Sequence, residues 1–384
     1  QAPDIHVQGV KISEFLALLA VPVTFSRNAA TPRVFLQFFL SIALIATWTL
    51  IVNRSRLFFE PVDVGIFRKK DIITLCRVVS FGCCLLTAVL FYRACLVWPH
   101  FPIRFLQIQA GICLLLLGFY ALSWIGPHIL VGPEDKRLHG LYNEGGPFGL
   151  LCAFLFCVAI NLKASSFIKI VFLLCVFAAG SKAGMALVLL GPALVLAPKF
   201  SRTTRIAVAV SVITLAPLVI ANIANNYVTE IADLENQVRS RLDDTNFVMG
   251  RVAGLHIIPE MVKNNPLLGV GLGNYSLVRN DPVYRGIFPS VDLWDLSGLG
   301  GIATMLAEGG LIGVILCFYP LFALFKQTSP TGRGLLVASC LSLFFGVQFY
   351  FTYPWIGVAL SCVPQLGSFR HPPPPGPLSH TPPV

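Results

Sequence analysis

Five cations, one aspartate and one histidine in this chain have the side chains to grip an anion and move a proton: Arg137, Lys182, Arg239, Arg241 and Arg251, with Asp295 and His256. Arginine suits phosphate because its planar fork pairs two oxygens at once and stays charged. Lysine offers the same charge as a point donor. An aspartate or histidine in reach of a hydroxyl can take its proton. Most of these residues lie in 225–301, the only long polar stretch. It holds six basic residues (Arg239, Arg241, Arg251, Lys263, Arg279, Arg285) and nine acids (Glu230, Asp233, Glu235, Asp243, Asp244, Glu260, Asp281, Asp292, Asp295), so it is net −3. Anion binding there must come from individual arginines, with no help from a bulk field. Asp233-Leu234-Glu235 has metal-holding spacing, but it falls on the polar side of a helix and reads as a solvated face.

That helix is defined by Tyr227, Ile231, Leu234, Val238 and Leu242, one apolar stripe at helical spacing. It would lie on a membrane surface or cap a bundle. A second helix is expected from about Arg251 to Lys263, kinked at Pro259. His256 precedes Ile257-Ile258 and would turn inward on it. Then follows Asn264-Asn265-Pro266-Leu267-Leu268-Gly269-Val270-Gly271-Leu272-Gly273-Asn274-Tyr275. Alternate glycines permit a tight turn with backbone brought close to something else. With no βαβ pattern around it, a nucleotide-binding reading fails.

The elements that position these residues are apolar. Of the chain's 384 residues 55% are hydrophobic and only 12% charged, with a mean hydropathy of +0.76. That is about half the usual charged share of a soluble protein. A cytosolic enzyme, a disordered chain and a disulfide-stapled domain are excluded, and a polytopic membrane protein remains. Runs of spanning length fall at about 34–52, 74–97, 103–124, 145–162, 166–181, 183–198, 205–224, 302–325 and 334–352. Shorter runs at 12–25 and 354–366 would span or re-enter. The expected fold is an all-α bundle of nine to eleven spans. It divides into helices to residue 224, the loop 225–301, helices over 302–366 and a proline-rich disordered tail, 367–384.

Lys163 and Lys169, then Lys199, Arg202 and Arg205, then Lys326 and Arg333 recur at every second turn. By the positive-inside rule those turns are cytoplasmic, which places 125–144 and 225–301 outside. The basic segment 53–73 falls outside too, against the rule. The net charge of +10 thus reads as topology. No Lys/Arg run with interleaved aromatics is present, so nucleic acid is not a partner. The eleven cysteines include no CxxC and no Cys/His pair at zinc spacing. They read as small buried apolar residues.

Three separated stretches form an ordered set. The first is Arg137-Leu138-His139-Gly140-Leu141-Tyr142-Asn143-Glu144-Gly145-Gly146-Pro147-Phe148-Gly149, before a crossing. The second is Gly180-Ser181-Lys182-Ala183-Gly184, between two crossings. The third runs from Gly250-Arg251 through the glycine turn 264–275 to Ala307-Glu308-Gly309-Gly310-Leu311-Ile312-Gly313. Over roughly 34–365 this order resembles the O-antigen polymerase/ligase superfamily, membrane glycosyltransferases of GT-C type.

The resemblance implies an undecaprenyl-diphosphate-linked oligosaccharide as donor and a glycan or lipid A-core acceptor. Transfer would be inverting and would need no metal or other cofactor. The site would face the periplasm from a bacterial inner membrane, with a chain-length regulator as a further partner. Arg251 corresponds to the loop arginine that grips diphosphate, and Ser181-Lys182 to a Ser-Arg pair. Lysine there keeps the charge and loses the fork. The ligase histidine, about nine residues before Glu308, would fall at Leu299, where 296–301 contains none. This favours the polymerase branch over the ligase.

Lys182, Arg239 or Arg241, and Arg137 are further diphosphate candidates beside Arg251. Asp295 and His256 are candidate bases, and His139 is a weaker one. Glu308 reads as structural, in the first turn of an apolar helix. Arg77 and Arg93 read as snorkelling residues. A flippase, the rival of another class, would show symmetric halves with paired broken helices; this sequence has one lopsided loop and no repeat.

Overall fold

The computed structural model describes residues 31–54, 71–123, 137–140, 142, 145–204, 206–207, 210, 253–286, 288, 290, 299–344 and 346–364, with two short strands, His6–Val7 and Val10–Lys11. Apart from that antiparallel two-residue pair, the described chain is helical. The helices are α1 (Arg33–Val52), α2 (Ile72–Val97), α3 (Phe101–Ser123), α4 (Gly145–Asn161), α5 (Ser166–Ala178) and α6 (Lys182–Leu196). After the polar stretch come α7 (Ala253–Asn264), the short α8 (Tyr275–Val278) and α9 (Pro282–Arg285), α10 (Gly301–Gln327), α11 (Pro330–Phe344) and α12 (Thr352–Ser361).

Among the described residues, five helical segments are long and apolar enough to cross a membrane: Arg33–Val52, Ile72–Val97, Phe101–Ser123, Lys182–Lys199 and Gly301–Gln327. The protein is a multi-pass membrane protein. Each long helix divides its apolar residues between neighbours and surroundings. On α1, Phe38, Ile42 and Ile45 are buried while Leu36, Leu40 and Leu44 are exposed. In a bilayer, that exposed side meets lipid tails as apolar as itself. Helix α4 is buried almost all round, as is α12, so these two form the axis of the bundle.

The expected crossings at 12–25 and the body of 205–224 lie outside the described residues, as do the amphipathic stripe 227–242 and the tail. The expected crossing at 334–352 is corrected. The helix ends at Phe344, and Gly346 turns with φ 96°. Trp355 then donates from Nε1 to the Phe349 carbonyl at 2.6 Å, fastening the turn before α12 starts. At ten residues, α12 extends about 15 Å, half of a hydrocarbon layer of about 30 Å. Helices α11 and α12 therefore form a hairpin.

The two ends of the bundle differ. At one end Lys199 donates to the Asn161 carbonyl and Arg333 to that of Phe325. Asn161 in turn donates to the Thr331 carbonyl, tying three helix ends together. Arg93, near the end of α2, reaches Thr31 just before α1.

The other end holds the glycine turn. Helix α10 breaks at Gly310, whose φ of 61° and ψ of −164° are far from helical. An unbroken helix would bond the Leu311 and Ile312 N–H groups to the Ala307 and Glu308 carbonyls. Here Leu311 and Ile312 donate instead to the Pro266 and Leu267 carbonyls, at 2.9 and 3.0 Å. The Ala307 and Glu308 carbonyls accept from Val270 and Gly271, both at 2.8 Å. Four main-chain groups freed by the break are thus satisfied by four from the turn. The backbones must touch to do this. A Cβ on Gly310 would lie 2.4 Å from Leu267 backbone, and one on Gly269 would lie 2.4 Å from Glu308 backbone.

Gly310→Ala and Gly269→Ala should each destabilise the fold. The positive φ alone costs about 1–3 kcal/mol, and the backbone clash adds to it. Gly118→Ala, where nothing lies within 4 Å, is the control. Thermal unfolding in detergent is the measurement. An unchanged midpoint for Gly310→Ala would mean that the helix runs through position 310 unbroken.

Candidate functional site

The turn is pinned from three sides. The Leu272 N–H donates to Thr49 Oγ1 of α1 at 2.8 Å, and its carbonyl accepts from Thr74 Oγ1 of α2 at 2.9 Å. Asn274 donates to Asn53 at 2.7 Å, and Asn53 donates to Asp71 at 2.9 Å, joining the turn to the end of α1 and the start of α2. The Tyr275 N–H donates to Glu308 Oε1 at 3.3 Å. Glu308 is therefore not in a first helical turn, as its position after an apolar start suggested. It is buried at the last helical step before the break.

This arrangement opens a cleft lined by the apolar Ile42, Phe81, Leu272, Met305 and Phe349 together with Arg77, Thr304, Glu308, Gln348 and Tyr350. Its enclosed space is small, about 20 Å³, room for about one water. The Arg77 guanidinium carbon sits 4.3 Å from the Tyr350 ring centroid, a cation–π contact that holds the fork in place. The stem of Arg77 passes Gly273, where an added Cβ would come within 3.3 Å of Arg77 Cγ. The glycine turn thus admits the arginine stem. Arg77 is accordingly a wall of the cleft, whereas its position in an apolar run read as snorkelling. An ionisable pair such as Arg77 and Glu308 lining one cavity among membrane helices is expensive and marks function by default. Chemically, the cleft brings one guanidinium, Arg77, and one carboxylate, Glu308, into a single wall.

The first two sequence stretches meet each other at the same end. Ser181 caps α6, accepting from the Gly184 N–H at 3.1 Å while donating to the Gly146 carbonyl at 3.1 Å. Leu138 N–H donates to the Ala178 carbonyl at 2.9 Å. A Cβ on Gly149 would sit 2.3 Å from Ser181 Cβ, and one on Gly180 would sit 3.4 Å from Arg137 Cδ and Nε. Arg137 therefore lies across Gly180, two residues from Lys182, and both cations are exposed. The turn after α11 links this unit to the cleft: Gly346 abuts Leu150 of α4, and Val347 accepts from Gly301 at the start of α10.

The other candidates are dispersed or undescribed. Arg239, Arg241, Arg251 and Asp295 lie outside the described residues. His256 is exposed on α7, against the inward turn expected of it. The buried stripe of α7 is Ala253, Gly254, Ile257, Ile258 and Met261, which leaves position 256 on the flank. Its ring centroid is 5.8 Å from that of Phe288. Arg279, counted in the sequence only as one of the loop's cations, is buried beside Tyr275, its guanidinium carbon 5.8 Å from the ring centroid. Burial pushes the Tyr275 hydroxyl up to about 12, with Arg279 pulling against it and Glu308 adding to it. Burial also lowers the Arg279 guanidinium, against the opposing influence of Tyr275. Both are read as supports of the turn.

Comparison of the chain with family models, curated proteins and solved structures finds no match in any of the three.

Ser181→Ala removes a helix cap and a link between α4 and α6. A cap is worth about 1 kcal/mol, so the thermal midpoint should fall, with Ser181→Thr recovering part of the loss. A midpoint equal to that of the unmodified chain would remove Ser181 from the scaffold.

Proposed function

We propose that this protein is a membrane glycosyltransferase that polymerises undecaprenyl-diphosphate-linked glycan repeat units, inverting the transferred sugar without metal. The observation that carries the reading is the meeting of the motif stretches at one end of the bundle. The first stretch packs on the second, and the glycine turn locks onto Ala307–Gly310. Beside that lock lies a cleft with one arginine and one carboxylate. Breaking a sugar–diphosphate bond calls for cations on the leaving group and a partner for the acceptor hydroxyl. Arg77, Arg137 and Lys182 are described cations at that end, and Arg251, with Arg239 or Arg241, would join them from the loop. Glu308 is the carboxylate among the cleft residues, with Asp295 and His256 as the alternatives read from sequence. The concentration of Lys163, Lys199, Lys326 and Arg333 at the opposite end supports an outward-facing site in a bacterial inner membrane. Transfer of finished glycan to lipid A-core, the ligase reaction, differs only in acceptor.

One observation favours a second reading, a lipid-linked glycan flippase: α10 is a broken helix, a device common in transporters. Against it, the freed main-chain groups are bonded to the protein's own turn.

The two readings separate in liposomes supplied with lipid-linked repeat units. The polymerase lengthens chains and releases lipid diphosphate, whereas the flippase releases none. Arg251→Ala and Arg77→Ala should each slow lengthening by about 100-fold, the usual cost of losing one preorganised charge donor. Unchanged chain length with the unmodified protein, or full activity in Arg251→Ala, rejects the proposal.

A further inference from the structure

Helices α3, α4 and α5 each bring one cysteine to a common point, and no part of the proposed transfer uses them. The Sγ atoms of Cys113, Cys152 and Cys175 all lie within 4.8 Å of one another, and all three residues are 0% exposed. Cys113 and Cys152 are separated by 4.0 Å between sulfurs, and the Cys175 thiol points to the Cys113 carbonyl at 3.8 Å. We propose that these three thiols form a site for one soft monovalent metal ion, Cu(I), set inside the membrane bundle.

The geometry suits the ion with little movement. Metal–thiolate bonds run about 2.3 Å, so three sulfurs around a trigonal ion stand about 4 Å apart, the separation already present between Cys113 and Cys152. The donor set selects the metal: soft sulfur favours Cu(I), whereas Mg²⁺ and Ca²⁺ demand oxygen. Depth sets what entry must accomplish. Cys113 lies about 18 Å along α3 at 1.5 Å per residue, near the centre of a hydrocarbon layer of about 30 Å, where an uncompensated charge is costly. The thiolate, not the thiol, is the ligand, so each sulfur that binds releases one proton to solvent, and the ion's positive charge offsets one of the thiolates formed. Copper stays in the +1 state throughout, so no oxidant or reductant is needed.

Such an ion would clip α3 to the rest of the bundle. Helix α3 packs chiefly on α5 and only slightly on α2. Its opposite face, with Ile108, Leu115 and Leu122, is exposed. A metal shared with Cys152 of the central α4 would tie this outer helix to the axis.

The test uses the full chain in detergent, with Cu(I) partitioned against a chromogenic Cu(I) chelator. One ion per chain is expected. Even a residue that only supports a metal ligand is worth about 10-fold or more in affinity, so Cys113→Ser, Cys152→Ser and Cys175→Ser should each weaken binding at least that much. Cys83→Ser and Cys317→Ser, buried elsewhere, should leave it unchanged. X-ray absorption of the copper-loaded unmodified protein should show three sulfur neighbours, a readout independent of how any variant folds. No ion retained against the chelator, equal affinity in the triple serine variant, or a shell of nitrogen, oxygen or only two sulfurs would overturn the site.

Discussion

Four main-chain hydrogen bonds at Gly310 hold this end of the molecule together. A broken helix inside a membrane frees N–H and C=O groups that no water can reach, and each unsatisfied group costs several kcal/mol. The turn 266–271 meets that demand with its own main chain, and in doing so satisfies four of its own groups. Neither element is acceptable alone. The break would leave Leu311 and Ile312 without acceptors, and the turn would be irregular backbone set among apolar helices. Everything beside them follows from the exchange. It sets where Leu272 meets the hydroxyls of Thr49 and Thr74. It also puts the Tyr275 N–H on Glu308 and lets the stem of Arg77 pass Gly273.

Much of this was legible in the chain. Apolar runs marked the long helices closely because bilayer thickness imposes a length that composition must meet. The second loop helix, expected over about Arg251–Lys263, is observed at Ala253–Asn264 with Pro259 inside it. Alternate glycines pointed to a close backbone approach, though not to its partner. The break in α10 was illegible because both halves are apolar and glycine is ordinary in membrane helices. For the same reason Glu308 read as a first-turn acid. A cation in an apolar run, such as Arg77, looks alike whether it snorkels or faces a cleft; the packing of Tyr350 and Gly273 around it tells the two apart. The interruption at 346–351 is hidden inside one continuous apolar run. The cysteine cluster was invisible to motif reading, since its members lie on three helices and meet only in three dimensions.

The glycines of the recognisable stretches turn out to be points of contact. Gly149 meets Ser181, Gly184 meets the Gly149 carbonyl, Gly269 meets Glu308 and Gly310 meets Leu267. Close approach through small residues, with hydrogen bonds across the contact, is how helices associate where the hydrophobic effect between them is absent. An ordered set of such stretches therefore speaks first for a way of packing. The proposed transfer rests on the charged residues that the packing exposes or encloses, Arg77 and Glu308 in the cleft and Arg137 and Lys182 at its end of the bundle. A chain could keep every glycine contact and change its chemistry by exchanging those few side chains, since function lives in a site carried by a fold.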